Sequence, residues 1–218
     1  MASAGRSRIF VIAGVNGAGK SSIGGAAFRE LGADYYNPDE AARAVLGRNP
    51  ALSQADANSA AWHQGVRLLR RAIAERKDFA FETTLGANTI PRMLQEAAAQ
   101  SIEIYVWYVG LVSAQLHIDR VAARVRHGGH TIARDLIEQR FEQSRINLIE
   151  LMPHLTELRV YDNSVDAEPA TGKTPELKLL LHMKRGTILN LNELKNTPDW
   201  AKPIVSTALK LTRRDANK

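Results

Sequence analysis

The chain has 218 residues, of which 44% are hydrophobic and 24% charged, with a formal net charge of +6 and a pI near 9.7. It has no cysteine, which excludes disulfides, thiolate zinc sites and a cysteine nucleophile. No segment approaches the roughly 18 consecutive apolar residues of a membrane span, and Arg6 and Arg8 precede an apolar run that has no cleavage site before the next motif. A cytoplasmic protein with no membrane partner is expected.

Arg8 to Ala13 reads as a short, fully buried strand. It leads into Gly14-Val15-Asn16-Gly17-Ala18-Gly19-Lys20-Ser21, which matches G-x-x-x-x-G-K-[ST] at every fixed position. Glycines let the backbone fold around an anion with its N–H groups turned inward. Lysine reaches the β- and γ-phosphates, the serine hydroxyl ligates Mg²⁺, and the following helix offers its positive end. The expected phosphate-binding set is Gly14, Asn16, Gly17, Ala18, Gly19, Lys20, Ser21 and Ser22, with ATP and Mg²⁺ as cofactors.

Residues 20–31 read as a helix, and Asp34-Tyr35-Tyr36 as a second strand. Asn37-Pro38 has the pattern of an N-cap followed by proline at the first helical position. Ser53 and Asp56 have capping-box spacing at the start of a long helix, with Trp62, Val66, Leu69 and Ile73 as its apolar stripe. Phe79 to Phe81 forms a third strand ending at Glu82; residues 89–100 are helical; Ile102 to Val109 is a β-branched and aromatic fourth strand. Helices follow at about 113–127 and 134–151, then a fifth strand at Arg159 to Tyr161. Beyond residue 165 come Pro169, Gly172 and Pro175, two apolar runs that read as a hairpin, and a terminal helix from about Pro198, with a disordered end that includes Arg213, Arg214 and Lys218. Residues 1–165 are expected to form one domain, and 166–218 an extension packed on it.

Strands alternating with helices imply a mostly parallel sheet of about five strands covered on both faces. Ligands bind beyond the carboxyl ends of such strands. That rule collects the glycine-rich loop, Asp39, Glu82, Thr83, Thr84 and the Asp162-Asn163-Ser164 stretch. Asp39 either orients an acceptor hydroxyl as a base or complements the helix dipole, and an Asp39–Arg43 pair is within helical reach. Glu82 either serves the metal and acceptor or is a solvated rim carboxylate. Arg120, Arg124 and Arg126 precede the Gly128-Gly129 pair and form either a closing lid or a solvated basic face. His127 and His130 have H-x-x-H spacing but no evident third ligand, which favours a polar loop or a substrate contact at His130. The arginines carry no interleaved aromatics for base stacking, so nucleic acid is not the expected partner.

Taken in order, the Gly14–Ser21 loop, Asn37 to Arg43, Phe81-Glu82-Thr83-Thr84-Leu85, Arg120 to His130 and Tyr161 to Ser164 resemble the zeta-toxin family of P-loop kinases, in its compact Gly-Gly-His form. The resemblance spans about residues 8–165. It implies a three-layer α/β/α P-loop kinase-like fold with a helical lid and a C-terminal hairpin and helix appendage. Some members phosphorylate UDP-N-acetylglucosamine on a sugar hydroxyl with ATP and Mg²⁺, and some pair with an antitoxin protein. Carried over, Lys20 contacts ATP phosphates, Ser21 ligates Mg²⁺, Asp39 is the base, and Glu82 and Thr84 hold the amino-sugar nucleotide. From the residues themselves, Glu82 is also expected to serve Mg²⁺, and Thr83, Arg43, Arg120 and His130 are expected with Asp39 around the acceptor. Among Arg120, Arg124, Arg126 and Arg134, the favoured catalytic arginines are Arg124 and Arg126.

Overall fold

The structure is a computed structural model that describes residues 6–21, 34–165 and 177–216. Seven strands form one mixed sheet: β1 (Arg8–Ala13), β2 (Asp34–Tyr36), β3 (Phe79–Thr83), β4 (Glu103–Gly110), β5 (Glu157–Asp162), β6 (Lys178–Lys184) and β7 (Thr187–Leu191). Their spatial order is β2-β3-β1-β4-β5-β6-β7. The first five run parallel, and β6 and β7 add antiparallel on the β5 edge. The expected hairpin is therefore a continuation of the sheet, which has seven strands rather than about five.

Six described helices accompany it: α1 (Pro38–Arg48), α2 (Gln54–Glu75), α3 (Thr89–Ala99), α4 (Ala114–Arg126), α5 (Arg134–Leu151) and α6 (Lys202–Ala216). The helix expected at 20–31 starts at Lys20 and Ser21, and the rest of it, with Ser22, lies outside the described residues, as do Pro169, Gly172 and Pro175. The terminal helix begins four residues later than expected, after a 3-10 turn at Asp199–Ala201. It is drawn through Arg213 and Arg214 to Ala216, and Lys218 lies outside the described residues.

Side chains alternate across the sheet with the strand period of two. Ile9, Val11, Phe81, Val106 and Val160 face the larger core with Leu69, Leu94, Leu148 and Ile204 from the helices. Phe10, Ile12 and Ala80 face the other side with Tyr35, Tyr105 and Trp107. Along α2 the apolar stripe divides: Val66 and Leu69 are buried, whereas Trp62 is 42% exposed and lines a cleft.

β1 occupies the centre, with β3 and β2 on one side and β4 and β5 on the other. The chain leaves β1 at the point where the order of connections reverses, which is where open α/β sheets bind ligands. Gly14 makes that exit. Its φ is +139°, and a Cβ there would stand 2.2 Å from the Val109 carbonyl oxygen on β4, so no other residue fits without displacing the central strands. Asn163, after β5, donates from Nδ2 to the Ala18 carbonyl at 2.9 Å and holds the loop from the other side.

Candidate active site

The carboxyl ends of β1, β2 and β3 bring four polar groups together. Glu82 on β3 is 5% exposed. The Ser21 hydroxyl donates to its Oε2 at 3.0 Å. Asn37 donates from Nδ2 to Oε1 at 3.2 Å, and the Tyr35 hydroxyl donates to that same oxygen. The Lys20 ammonium donates to the Val15 carbonyl at 3.2 Å. Burial pushes its pKa down from the ordinary value, opposed by the nearby carboxylates of Glu82 and Asp39.

Asp39 sits in the first turn of α1 and helps to line a cleft of about 520 Å³. Its carboxylate meets Arg124 of α4, with Nη1 to Oδ2 at 3.4 Å. The expected Asp39–Arg43 pair is replaced by this contact: Arg43 is exposed, and its Nε donates to the Asp39 backbone carbonyl at 3.3 Å. Arg124 also reaches the His130 carbonyl at 3.5 Å, and its buried Nε has no acceptor among the described residues. A Cβ on Gly129 would approach Arg124 Cγ to 2.8 Å, so the Gly-Gly turn lies directly against the guanidinium stem.

Arg140 of α5 completes the positive rim. It donates from Nη1 to Asn16 Oδ1 at 2.7 Å; burial lowers its pKa, and Asp39 opposes that shift. Lys20, Asp39, Glu82, Thr83, Thr84, His130 and Arg140 all border the cleft, together with Trp62 and Asn58. Thr83 and Thr84 accept from the Leu85 and Gly86 backbone amides at 3.1 and 3.2 Å. Buried Asn147 of α5 donates to the Leu85 carbonyl at 2.6 Å and fixes the loop after β3.

A family described as an AAA domain matches residues 9–147. The chain belongs to that family. A relative from Haemophilus influenzae, an uncharacterized protein, is 29% identical over 132 residues that cover 59% of this chain and 88% of that one. Among solved structures, AvrRxo1-ORF1 bound to ORF2 with ATP superposes with a TM-score of 0.67 at 13% identity, covering 94% of this chain. This chain spans 64% of that protein's length. The PezAT chromosomal toxin-antitoxin system of Streptococcus pneumoniae superposes with a TM-score of 0.53 at 12% identity, over 99% of this chain and 89% of that one. At such identities the likeness establishes the fold, a three-layer α/β P-loop kinase fold with a mostly parallel sheet.

The AAA domain places the other predicted residues less uniformly. Arg126 is exposed in the last turn of α4 and does not border the cleft. Arg134 is also exposed and pairs with Glu138 at 3.0 Å. Arg120 packs its Cβ beside Gly17 of the glycine-rich loop. His127 turns to the Ala123 carbonyl of its own helix, 2.9 Å away. Among the described residues no group of three His, Asp or Glu side chains could hold a metal, so the H-x-x-H spacing makes no centre. No helix among the described residues is long and apolar enough to cross a membrane.

Sequence reasoning missed Tyr35, Arg140, Asn147 and His117, and took Asn37 for a cap alone. His117 is 1% exposed on α4, with Nδ1 2.9 Å from the Asn16 carbonyl. Burial pushes its pKa down from 6.5 to about 4, opposed by that hydrogen bond. The folded state thus holds the ring neutral while the unfolded chain binds a proton from about pH 6.5 downward. Stability is full above pH 6.5 and falls as the pH drops toward 4, by on the order of 3 kcal/mol at the lower end. Denaturation midpoints measured across that range should fall less steeply in a His117→Asn variant; parallel curves would remove His117 as the cause.

Proposed function

We propose that the chain is an ATP- and Mg²⁺-dependent phosphotransferase that phosphorylates a hydroxyl of a small molecule, a UDP-amino sugar of the UDP-N-acetylglucosamine type. One observation carries the reading: Asp39, whose carboxylate contacts Arg124 at 3.4 Å, borders a cleft that also holds Lys20 and Arg140 and extends to Trp62 and Asn58. A nucleotide hydrolase or switch requires only the phosphate end of that cleft. An acceptor requires the rest.

The residues present suit the metal. Mg²⁺ commonly takes one or two protein oxygen ligands and keeps several waters, and the Ser21 hydroxyl and Glu82 Oε2 offer oxygen donors 3.0 Å apart at the loop. When bound there, Mg²⁺ neutralises charge on the nucleotide's phosphate oxygens. In the proposed transfer, Asp39 takes the proton from the acceptor hydroxyl as its oxygen forms a bond to the γ-phosphorus. The bond from that phosphorus to the β,γ-bridging oxygen breaks, and ADP leaves. Lys20 and Arg140 hold phosphate charge, and Arg124, whose buried Nε lacks an acceptor among the described residues, has a donor ready for the transferring group. Most of the rate enhancement then comes from positioning and preorganised charge.

Trp62 supports the nucleotide part of the acceptor, since an exposed indole on a cleft wall is a stacking surface. By likeness to the AvrRxo1-ORF1:ORF2 complex and the PezAT toxin-antitoxin system, a protein partner of the antitoxin kind belongs to the same proposal. The test compares kcat/KM for UDP-N-acetylglucosamine, free N-acetylglucosamine, UDP, nucleosides and RNA ends by product mass spectrometry. The expected result is one added phosphate on the UDP-sugar in preference to the others. Preference for an RNA end, falling steeply with salt, would overturn the acceptor assignment.

A further inference from the structure

Asn37 joins β2 to α1 and is 6% exposed. Its amide is used from both ends. Oδ1 accepts from the Asp39 and Glu40 backbone amides at 2.9 and 3.3 Å. Nδ2 donates to Glu82 Oε1 at 3.2 Å and to the Ser21 hydroxyl at 3.4 Å. The neighbours fix which way the amide lies, because only oxygen can face two N–H groups and only NH₂ can face a carboxylate.

The donor arm exceeds what a helix cap needs. Capping uses the oxygen alone, and serine or aspartate caps as well as asparagine. Among the described residues, Tyr35 and Asn37 both donate to Glu82 Oε1, and Ser21 donates to Oε2. The carboxylate is thereby held from behind, with Oε2 presented on the phosphate-loop side. The same amide that holds it also fixes the first turn of α1, which carries Asp39.

We propose that Asn37 is a positioning residue, locking the metal-side carboxylate Glu82 and the base Asp39 into one unit; the proposal rests on the phosphotransferase reading above. Outer-shell partners of a metal ligand are typically worth about 10–100-fold in metal affinity or activity. Asn37 differs from an ordinary outer-shell group because its loss should disturb both ends of the transfer.

The test is a Mn²⁺ titration, followed by electron paramagnetic resonance, of the full chain saturated with a non-hydrolysable ATP analogue. Asn37→Ser keeps the cap and removes the donor arm. It should weaken Mn²⁺ affinity about 10-fold or more and lower kcat with little change in acceptor KM, while the thermal midpoint confirms folding. Wild-type Mn²⁺ affinity in this variant overturns the proposal. If Asn37→Ser fails to fold, Asn37→Thr decides instead: it too keeps a capping oxygen and removes the amide donors to Glu82 and Ser21. Weakened Mn²⁺ binding supports the proposal, and wild-type binding overturns it. A wild-type protein that binds Mn²⁺ with nucleotide yet phosphorylates no acceptor would overturn the phosphotransferase reading alone, and the metal titrations would still decide the role of Asn37.

Discussion

Replacing Asp39 by Asn is expected to lower turnover by about 10²–10⁴-fold, the usual contribution of a general base, while ATP affinity changes little. The amide is close in shape to the carboxylate and leaves the Asn37 cap of α1 untouched, because that cap uses the Asp39 backbone amide. Asparagine cannot accept the acceptor's proton. It also leaves Arg124 without its anionic partner, so a small gain in affinity for phosphate is compatible with the loss of rate. A fall in kcat with acceptor KM nearly constant would mark a group acting in the transition state. Turnover within a few-fold of wild type would remove Asp39 from the chemistry.

Replacing Arg124 by Ala should cost about as much as removing an arginine that stabilises a transferring phosphoryl group, on the order of 10³–10⁵ in kcat. The guanidinium joins three parts of the site: the Asp39 carboxylate, the His130 carbonyl and the Gly128-Gly129 turn. Its planar fork matters as well as its charge, so Arg124→Lys should recover only a minor part of the rate. Arg126 provides the internal control. It lies two residues along the same helix but is exposed, whereas Arg124 pairs with Asp39, and Arg126→Ala is expected to keep near-wild-type turnover. Equal losses at both positions would mean that α4 moves as a lid and brings Arg126 inward.

The phosphate loop was legible because its chemistry is local: glycines, lysine and serine act within eight consecutive residues, and the buried run before them could only be a central strand. The Ser53–Asp56 cap was legible for the same reason, since a cap operates within one turn, and the helix at residues 134–151 lies where the sequence placed it. The docking of β6 and β7 on β5 was not, because strand pairing depends on a partner many residues away. Arg140 and Asn147 were hidden on α5, where isolated polar residues look like a solvated face. Only the tertiary contacts to Asn16 and Leu85 show that they point inward. The Asp39–Arg124 pair joins residues 85 apart in sequence, and no short-range spacing rule could have chosen Arg124 over Arg126. Trp62 fitted the helical stripe but faces the cleft, because burial of Val66 and Leu69 leaves it one turn beyond the edge of the core.

The most direct test of the account is the fate of the γ-phosphate. Wild-type protein and Asp39→Asn would be incubated with Mg²⁺, UDP-N-acetylglucosamine and ATP carrying ¹⁸O on the γ-phosphoryl group, and the products read by mass spectrometry. The account predicts labelled phosphate esterified to the sugar nucleotide with the wild-type chain, and its loss with Asp39→Asn. Label recovered only as inorganic phosphate, at equal rates for both proteins, would contradict it.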